Sequence, residues 1–216
     1  VIEKLNSEIA DIRSTMLEIK EQKEREKALR ISEIDKKIES CGFNLAPIEE
    51  YTKWEGVNII MGKPGSGKTE IIKRLLDQIC QEGDEVLLIA LGNIHDDKSL
   101  MSVLSRWKHS FLVSEDPSIL DKVATMKGSF NRIFIEVDYT FTKKVIEHSL
   151  MKDSTAMICS GADQAFNSDE FFSETYKIQS PLILTRLDLC SDLPSALNSL
   201  ADIGVEINGT ATGPWK

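Results

Sequence analysis

Apolar positions along this chain fall into two regimes. From Ile2 to Ile19 they recur at spacings of three and four (Ile2, Leu5, Ile9, Ile12, Met16, Ile19), a heptad-like seam on a helix. The seam fails at Lys23 and Glu26 and resumes out of phase at Ile31, Ile34 and Ile38. Three heptads are few for a coiled coil. The preferred reading is one face of an amphipathic helix, or two, packed on the domain that follows; the alternative is a coiled-coil-like helix paired with another chain. Cys41-Gly42-Phe43 breaks the helix, and Pro47 to Lys53 leads into the first of several short segments rich in apolar residues. Val57–Met61, Val86–Ala90, Phe111–Val113, Arg132–Val137, Thr155–Cys159, Pro181–Thr185 and Val205–Ala211 read as strands. Val86–Ala90 is unbroken, as expected of a strand in a parallel sheet covered on both faces. Between them, helical spacing predicts helices at Ile71–Ile79, Ser99–His109, Pro117–Met126, Lys143–Leu150, Ser168–Thr175 and Leu193–Leu200. The expected organisation is an N-terminal helical segment over 1–45, then one α/β domain over 46–216. That domain is a mostly parallel sheet with helices on both faces.

Composition narrows the class. The net charge of −9 argues against a direct nucleic-acid binder, which would carry a basic balance. Cys41, Cys80, Cys159 and Cys190 lie far apart with no C-x-x-C pair, so neither a zinc site nor a disulfide framework is expected and a reducing cytoplasm is the default. No apolar run approaches the length of a membrane span, and the N-terminus does not read as a signal peptide. Position 1 is valine, which implies an earlier start for the natural chain.

The candidate chemistry centres on Gly62-Lys63-Pro64-Gly65-Ser66-Gly67-Lys68-Thr69, a match to G-x-x-x-x-G-K-[ST]. It stands between the strand and the helix that this phosphate-binding (Walker A) loop requires, which makes the domain a P-loop NTPase. Its glycines let backbone N–H groups turn inward around phosphate oxygens, and the helix N-terminus adds a favourable dipole. Lys68 would reach the β- and γ-phosphates, and the Thr69 hydroxyl would ligate Mg²⁺. Lys63, inside the loop, is expected to be exposed and to tune affinity only. Glu136 and Asp138 are two apart on a strand and so face the same way. Either could hold Mg²⁺ through a water, against the plainer reading of a solvated strand end.

Thr185-Arg186-Leu187-Asp188 closes an apolar strand. In many GTPases [NT]-K-x-D at this point reads guanine, because a carboxylate accepts from N1–H and the exocyclic amine, a pattern adenine does not offer. Alone the signal is weak, since an aspartate after a strand is often only a helix cap. Its place two strands beyond the magnesium strand strengthens it. Arg186 stands where lysine is usual, and its stem and guanidinium plane can still stack on a base.

With these residues in view, a resemblance emerges. Gly161-Ala162-Asp163-Gln164-Ala165-Phe166-Asn167, then Phe171-Phe172, then Ile183 to Asp188 resembles the G-Q-D-A-x-N…F…I-L-T-K-L-D run of signal recognition particle GTPases. That family comprises the particle protein, its receptor and the flagellar GTPase FlhF. The tail from Gly204-Val205-Glu206-Ile207 to Thr212-Gly213 resembles the closing G-L-P-I…N-G segment of the flagellar branch. Resemblance implies GTP or GDP with Mg²⁺, bound by Gly62 to Thr69, Thr185, Arg186, Asp188, Thr212 and Gly213. It implies a nucleotide-dependent switch in protein targeting, flagellar or secretion assembly. The partner would be another protein, or a second copy, met through the nucleotide face. Localisation would be cytoplasmic, with any membrane association peripheral and through a partner. Gln164 would couple the domain to its helical part, unless it is merely a surface glutamine.

Departures from the family pattern bear on catalysis. Where the family carries D-T-x-R after the second strand, this chain has Gly92-Asn93-Ile94-His95. Where the family carries D-T-A-G-R, it has Glu136-Val137-Asp138-Tyr139-Thr140. Alignment favours Glu136 over Asp138 as the magnesium carboxylate, so Lys68 and Glu136 are the expected catalytic pair. His95 is a poor substitute for a permanent cation near neutral pH. Binding groups are kept and hydrolytic ones lost, so slow hydrolysis is expected. Two alternatives stay open: a non-hydrolysing scaffold, and an ATP-using P-loop protein in which Thr185 to Asp188 is coincidental. No methionine-rich RNA- or signal-binding segment follows before Lys216.

Overall fold

The computed structural model describes residues 2–41, 46–48, 53–80, 83–92, 101, 105, 110–162, 182–202 and 207–211. Side chains are described for these except at 2–7, 46–47, 201–202 and 207–211. Among the described residues eight strands form one sheet: β1 (Ala46–Pro47), β2 (Gly56–Gly62), β3 (Val86–Leu91), β4 (Ser110–Ser114), β5 (Arg132–Val137), β6 (Thr155–Gly161), β7 (Leu182–Thr185) and β8 (Ile207–Ala211). All neighbours pair in parallel, in the order β1-β8-β7-β6-β2-β5-β3-β4. The described helices are α1 (Ile2–Ser40), α2 (Lys68–Ile79), α3 (Ile119–Met126), α4 (Thr142–Glu147) and α5 (Leu193–Asp202).

Alternate residues of each strand serve opposite faces of the sheet. On one face Ile60, Leu88, Phe134, Met157 and Ile183 pack under α2 through Ile71, Ile72, Leu75 and Leu76. On the other, Ile59, Met61, Ile89, Ile133 and Ile135 meet Leu120 and Val123 of α3 and Val145 of α4. Further along that face Ile158, Leu182 and Leu184 meet α5 and the end of α1. Helices on both faces are what the unbroken apolar strands require. Trp54 completes the α2 side, fully buried in a left-handed conformation (φ 57°), its ring tilted 6.3 Å from that of Phe134 and its indole N–H donating to the Ile48 carbonyl at 3.2 Å.

One local expectation changes, one strand is new, and two expected helices go undescribed. The helix expected at Lys143–Leu150 is interrupted at His148, and a 3₁₀ turn takes over at Ser149–Asp153. The two-residue β1 carries no periodic signal and exists because β8 supplies its ladder partner. The helices expected at Ser99–His109 and Ser168–Thr175 fall, wholly or nearly so, outside the described residues.

The largest difference concerns α1. It is one helix of 39 residues, and among the described residues only its end packs on the domain, through Ile34 and Ile38 against Leu193, Ala196, Leu197 and Leu200. The seam expected to pack there is in solvent: Ile9, Ile12, Met16 and Ile19 are 47–66% exposed. Length is the reason. At 1.5 Å per residue the helix runs about 58 Å, against about 40 Å for a compact body of this size. The two phases of the apolar pattern thus have different fates. Ile38→Val should cost about 1 kcal/mol of stability, whereas Leu29→Ala, on an exposed turn of the same helix, should stay within about 0.5 kcal/mol of wild type. Urea midpoints at unchanged slope would check both.

Candidate functional site

From β2 the chain first builds β3, β4 and β5 to one side, then β6, β7 and β8 to the other. Strand order therefore reverses at β2, and the crevice beyond its carboxyl end is where an open parallel sheet places a ligand. Residues 62–69 fill that position, between β2 and α2. The start of the loop is tight: a β-carbon on Gly62 would overlap the Cys159 carbonyl oxygen of β6 and the Ser66 hydroxyl. Burial keeps the Cys159 thiol neutral, with its pKa pushed up to about 12. Ser66 is itself fully buried, and its hydroxyl has no hydrogen-bond partner among the described residues. Lys63 is half-buried rather than exposed.

Lys68 donates from Nζ to the Gly62 carbonyl at 2.9 Å and the Lys63 carbonyl at 3.1 Å, curling its ammonium over the loop. Burial lowers its pKa, and the Glu136 carboxylate opposes that shift. Among the described residues its hydrogen bonds go only to carbonyls, which leaves a desolvated ammonium suited to an anion. With the buried Ser66 hydroxyl, these groups fit a phosphate chain.

Thr69, on the first turn of α2, donates from Oγ1 to Glu136 Oε1 at 2.6 Å. The contact follows from the direct pairing of β2 with β5, which brings the end of β5 beside the start of α2. Glu136 shares the α2-facing side of β5 with Phe134 and is 6% exposed. A hydroxyl and a carboxylate oxygen this close are hard donors that suit Mg²⁺, which takes one or two protein ligands and fills its octahedron with water and phosphate. Asp138 has other work. Its Oδ1 accepts from Thr140 N at 3.0 Å and Thr140 Oγ1 at 2.7 Å, capping the 3₁₀ turn Tyr139–Phe141. Burial works to raise its pKa, but those hydrogen bonds and Lys68 outweigh it and hold the carboxyl below its ordinary value.

The end of β7 is joined to the loop from the other side. The Thr185 hydroxyl reaches the Ser66 carbonyl at 2.7 Å and the Ser160 carbonyl at 3.2 Å. Arg186, left-handed at φ 54°, donates from Nη1 to the Gly65 carbonyl at 3.0 Å. Its guanidinium is thus engaged with the phosphate loop. Asp188 lies exposed in the short turn Leu187–Leu189. It does not cap α5: Asp192 does, accepting from Ser195 N at 3.2 Å and Ser195 Oγ at 2.7 Å. The plain helix-cap reading of Asp188 is thereby removed.

The structure brings together Gly62 to Thr69, Glu136, Thr185 and Arg186. Asn93, Ile94, His95, Gln164, Thr212 and Gly213 lie outside the described residues, as do Trp107 and Trp215. Sequence reasoning missed the underpinning: Cys159 and Ser160 at the end of β6, and the capping role of Asp138. Strand adjacency creates the Cys159 and Ser160 contacts, which no motif signals, whereas the Asp138–Thr140 bonds are a local Asx-type turn two residues long. Among the described residues no helix is long and apolar enough to cross a membrane, and no group of three or more His, Cys, Asp or Glu could hold a metal.

No family profile matches the chain, and no curated protein matches it by sequence. Solved structures do match its fold. FlhF complexed with GTP and Mg²⁺ is 14% identical, over 80% of this chain and 72% of that one, with a TM-score of 0.56. Chloroplast FtsY from Physcomitrella patens is 16% identical, over 88% and 68%, at 0.60. The hydrogenase maturation factor HypB from Archaeoglobus fulgidus is 13% identical, over 86% and 88%, at 0.55. Identity this low speaks for architecture and not for role. What sequence and geometry establish together is that this chain has the P-loop fold of the signal recognition particle-type GTPases.

Proposed function

We propose that this chain binds a guanine nucleotide with Mg²⁺ and acts as a slow-hydrolysing switch in protein targeting, flagellar or secretion assembly. One observation carries the guanine assignment: Thr185 and Arg186, from the T-R-L-D segment, bond directly to Ser66 and Gly65 of the phosphate loop. A segment coincidentally like a base-reading motif has no reason to lock onto the phosphate site. Contacts of Thr185 and Arg186 with the loop support a reading in which Asp188, two residues further on, selects the base. Calorimetry with GDP and ADP tests it: GDP should bind the wild type more tightly, and Asp188→Ala should shrink the difference by about 1–3 kcal/mol. Equal affinity for both bases in the wild type would end the guanine assignment.

Lys68 and the Thr69–Glu136 pair support the roles of phosphate cation and magnesium holder. The similarity to a GTP- and Mg²⁺-bound structure supports the ligand class. The partner is another protein or a second copy at the nucleotide face, with any membrane contact made through that partner in the cytoplasm. The division into a helical segment over 1–45 and a nucleotide domain over 46–216 belongs to this reading.

A second reading, a scaffold that holds nucleotide without hydrolysing it, is favoured by the segment after β5. Asp138 N–H donates to the Leu91 carbonyl, Thr140 N–H to Asp138 Oδ1, Phe141 N–H to the Asp138 carbonyl and Thr142 N–H to the Tyr139 carbonyl. Those donors are already satisfied within the protein. Hydrolysis rates separate the two readings, as taken up below.

A further inference from the structure

We propose that α1 pairs, parallel and in register, with α1 of a second copy of this chain through the stripe Ile9, Ile12, Met16 and Ile19. Each of these four side chains is about half exposed or more, on a stretch of helix whose neighbours are also in solvent. The same helix buries Ile34 and Ile38 to 8% and 4% exposure on its own domain. A chain that leaves one stripe wet while burying the other has two different surfaces to satisfy. Ile9 and Met16 take heptad position a, and Ile12 and Ile19 take position d, a 3.5-residue period that a supercoiled pair keeps in register.

The flanking charges choose the occupant and its direction. Glu8 stands at position g and Arg13 at the following e, and both are exposed. In a parallel, in-register pair, g of one helix meets the next e of the other, so Glu8 meets Arg13 twice by symmetry. Lys20 is again basic at e and meets the neutral Thr15, so no like charges face each other across this stretch. An antiparallel pair over the same residues would set Arg13 against Arg13. Lys23 at the next a position and Glu26 at the next d end the seam. There the helices can part, which leaves room for the two domains held at Ile34 and Ile38.

Sedimentation of the full chain over a concentration series tests the pairing without nucleotide, so its outcome is independent of the function proposed above. A mass of two chains, rising with concentration, is expected. Ile12→Glu should give a monomer whose melting temperature at low concentration is unchanged, because Ile12 does not touch the domain. Arg13→Glu should weaken the dimer by about tenfold, and adding Glu8→Arg to it should restore the affinity. For direction, Ile12→Cys in a chain carrying Cys41→Ser and Cys190→Ser should oxidise to a linked dimer, since d faces d only in a parallel, in-register pair. A monomer at every concentration, a three-chain mass, a charge swap that fails to restore pairing, or a dimer that does not cross-link at position 12 would each overturn the proposal.

Discussion

Lys68→Ala is expected to weaken GDP binding on the order of a hundredfold while shifting the urea midpoint little. In the free protein the ammonium is bonded to the carbonyls of Gly62 and Lys63 and pays for burial with a lowered pKa. Removing it loses two hydrogen bonds and relieves a desolvated charge, and these effects oppose one another in the stability. Binding has no such compensation. A phosphate chain in a loop without its cation loses charge-assisted hydrogen bonds worth about 1.5–3 kcal/mol each, and its own charge is left partly uncompensated. Calorimetry should show the loss for GDP, and a urea melt on the same sample should show the fold intact. Unchanged GDP affinity would mean that the nucleotide, if bound, sits elsewhere than at Gly62 to Thr69.

Single-turnover hydrolysis of GTP by the isolated chain is expected on the order of 10⁻³ s⁻¹ or slower, the scale of unassisted GTPases. Catalysis of phosphoryl transfer is positioning and charge stabilisation, so the groups ringing the γ-phosphate decide the rate. On the β5 side, the turn after Val137 caps itself through Asp138 and Thr140 and brings an ionised carboxylate where a donor or cation would help. On the β3 side, Gly92 is closed to any side chain: it is left-handed at φ 110°, its N–H is bonded to the Ser114 carbonyl, and a β-carbon there would overlap that of Asp138. An acid cannot simply be restored at Gly92 without moving Asp138. A partner that donates the missing groups should accelerate the reaction; a scaffold would show no turnover with any partner. A rate on the order of 1 s⁻¹ or more from the chain alone would show that other residues supply the catalysis.

How much of this was legible beforehand depends on the range of the interaction responsible. Strand and helix periods are local, so the parallel α/β order, the phosphate loop and its helix could be read directly from runs such as Val57–Met61 and Ile71–Ile79. Lys68 and Thr69 were legible because neighbouring residues form their part of the site. Alignment with the family pattern favoured Glu136 over Asp138, but the two shared a face and no local contact singled one out. Only the pairing of β5 with β2 gave Thr69 to Glu136, leaving Asp138 to cap its own turn. Likewise Asp188 looked the same whether cap or base reader until Asp192 was found capping α5. The seam of α1 carried its period openly but not its destination. Apolar spacing records that a face must be covered, whereas what covers it depends on where a long helix leaves the domain. The sequence alone thus determined the element types, their order and the loop chemistry, all set by contacts within a few residues. Tertiary structure alone decided which strands became neighbours, hence which carboxylate bonds Thr69, which hydroxyl braces the loop and which stripe of α1 stays in water.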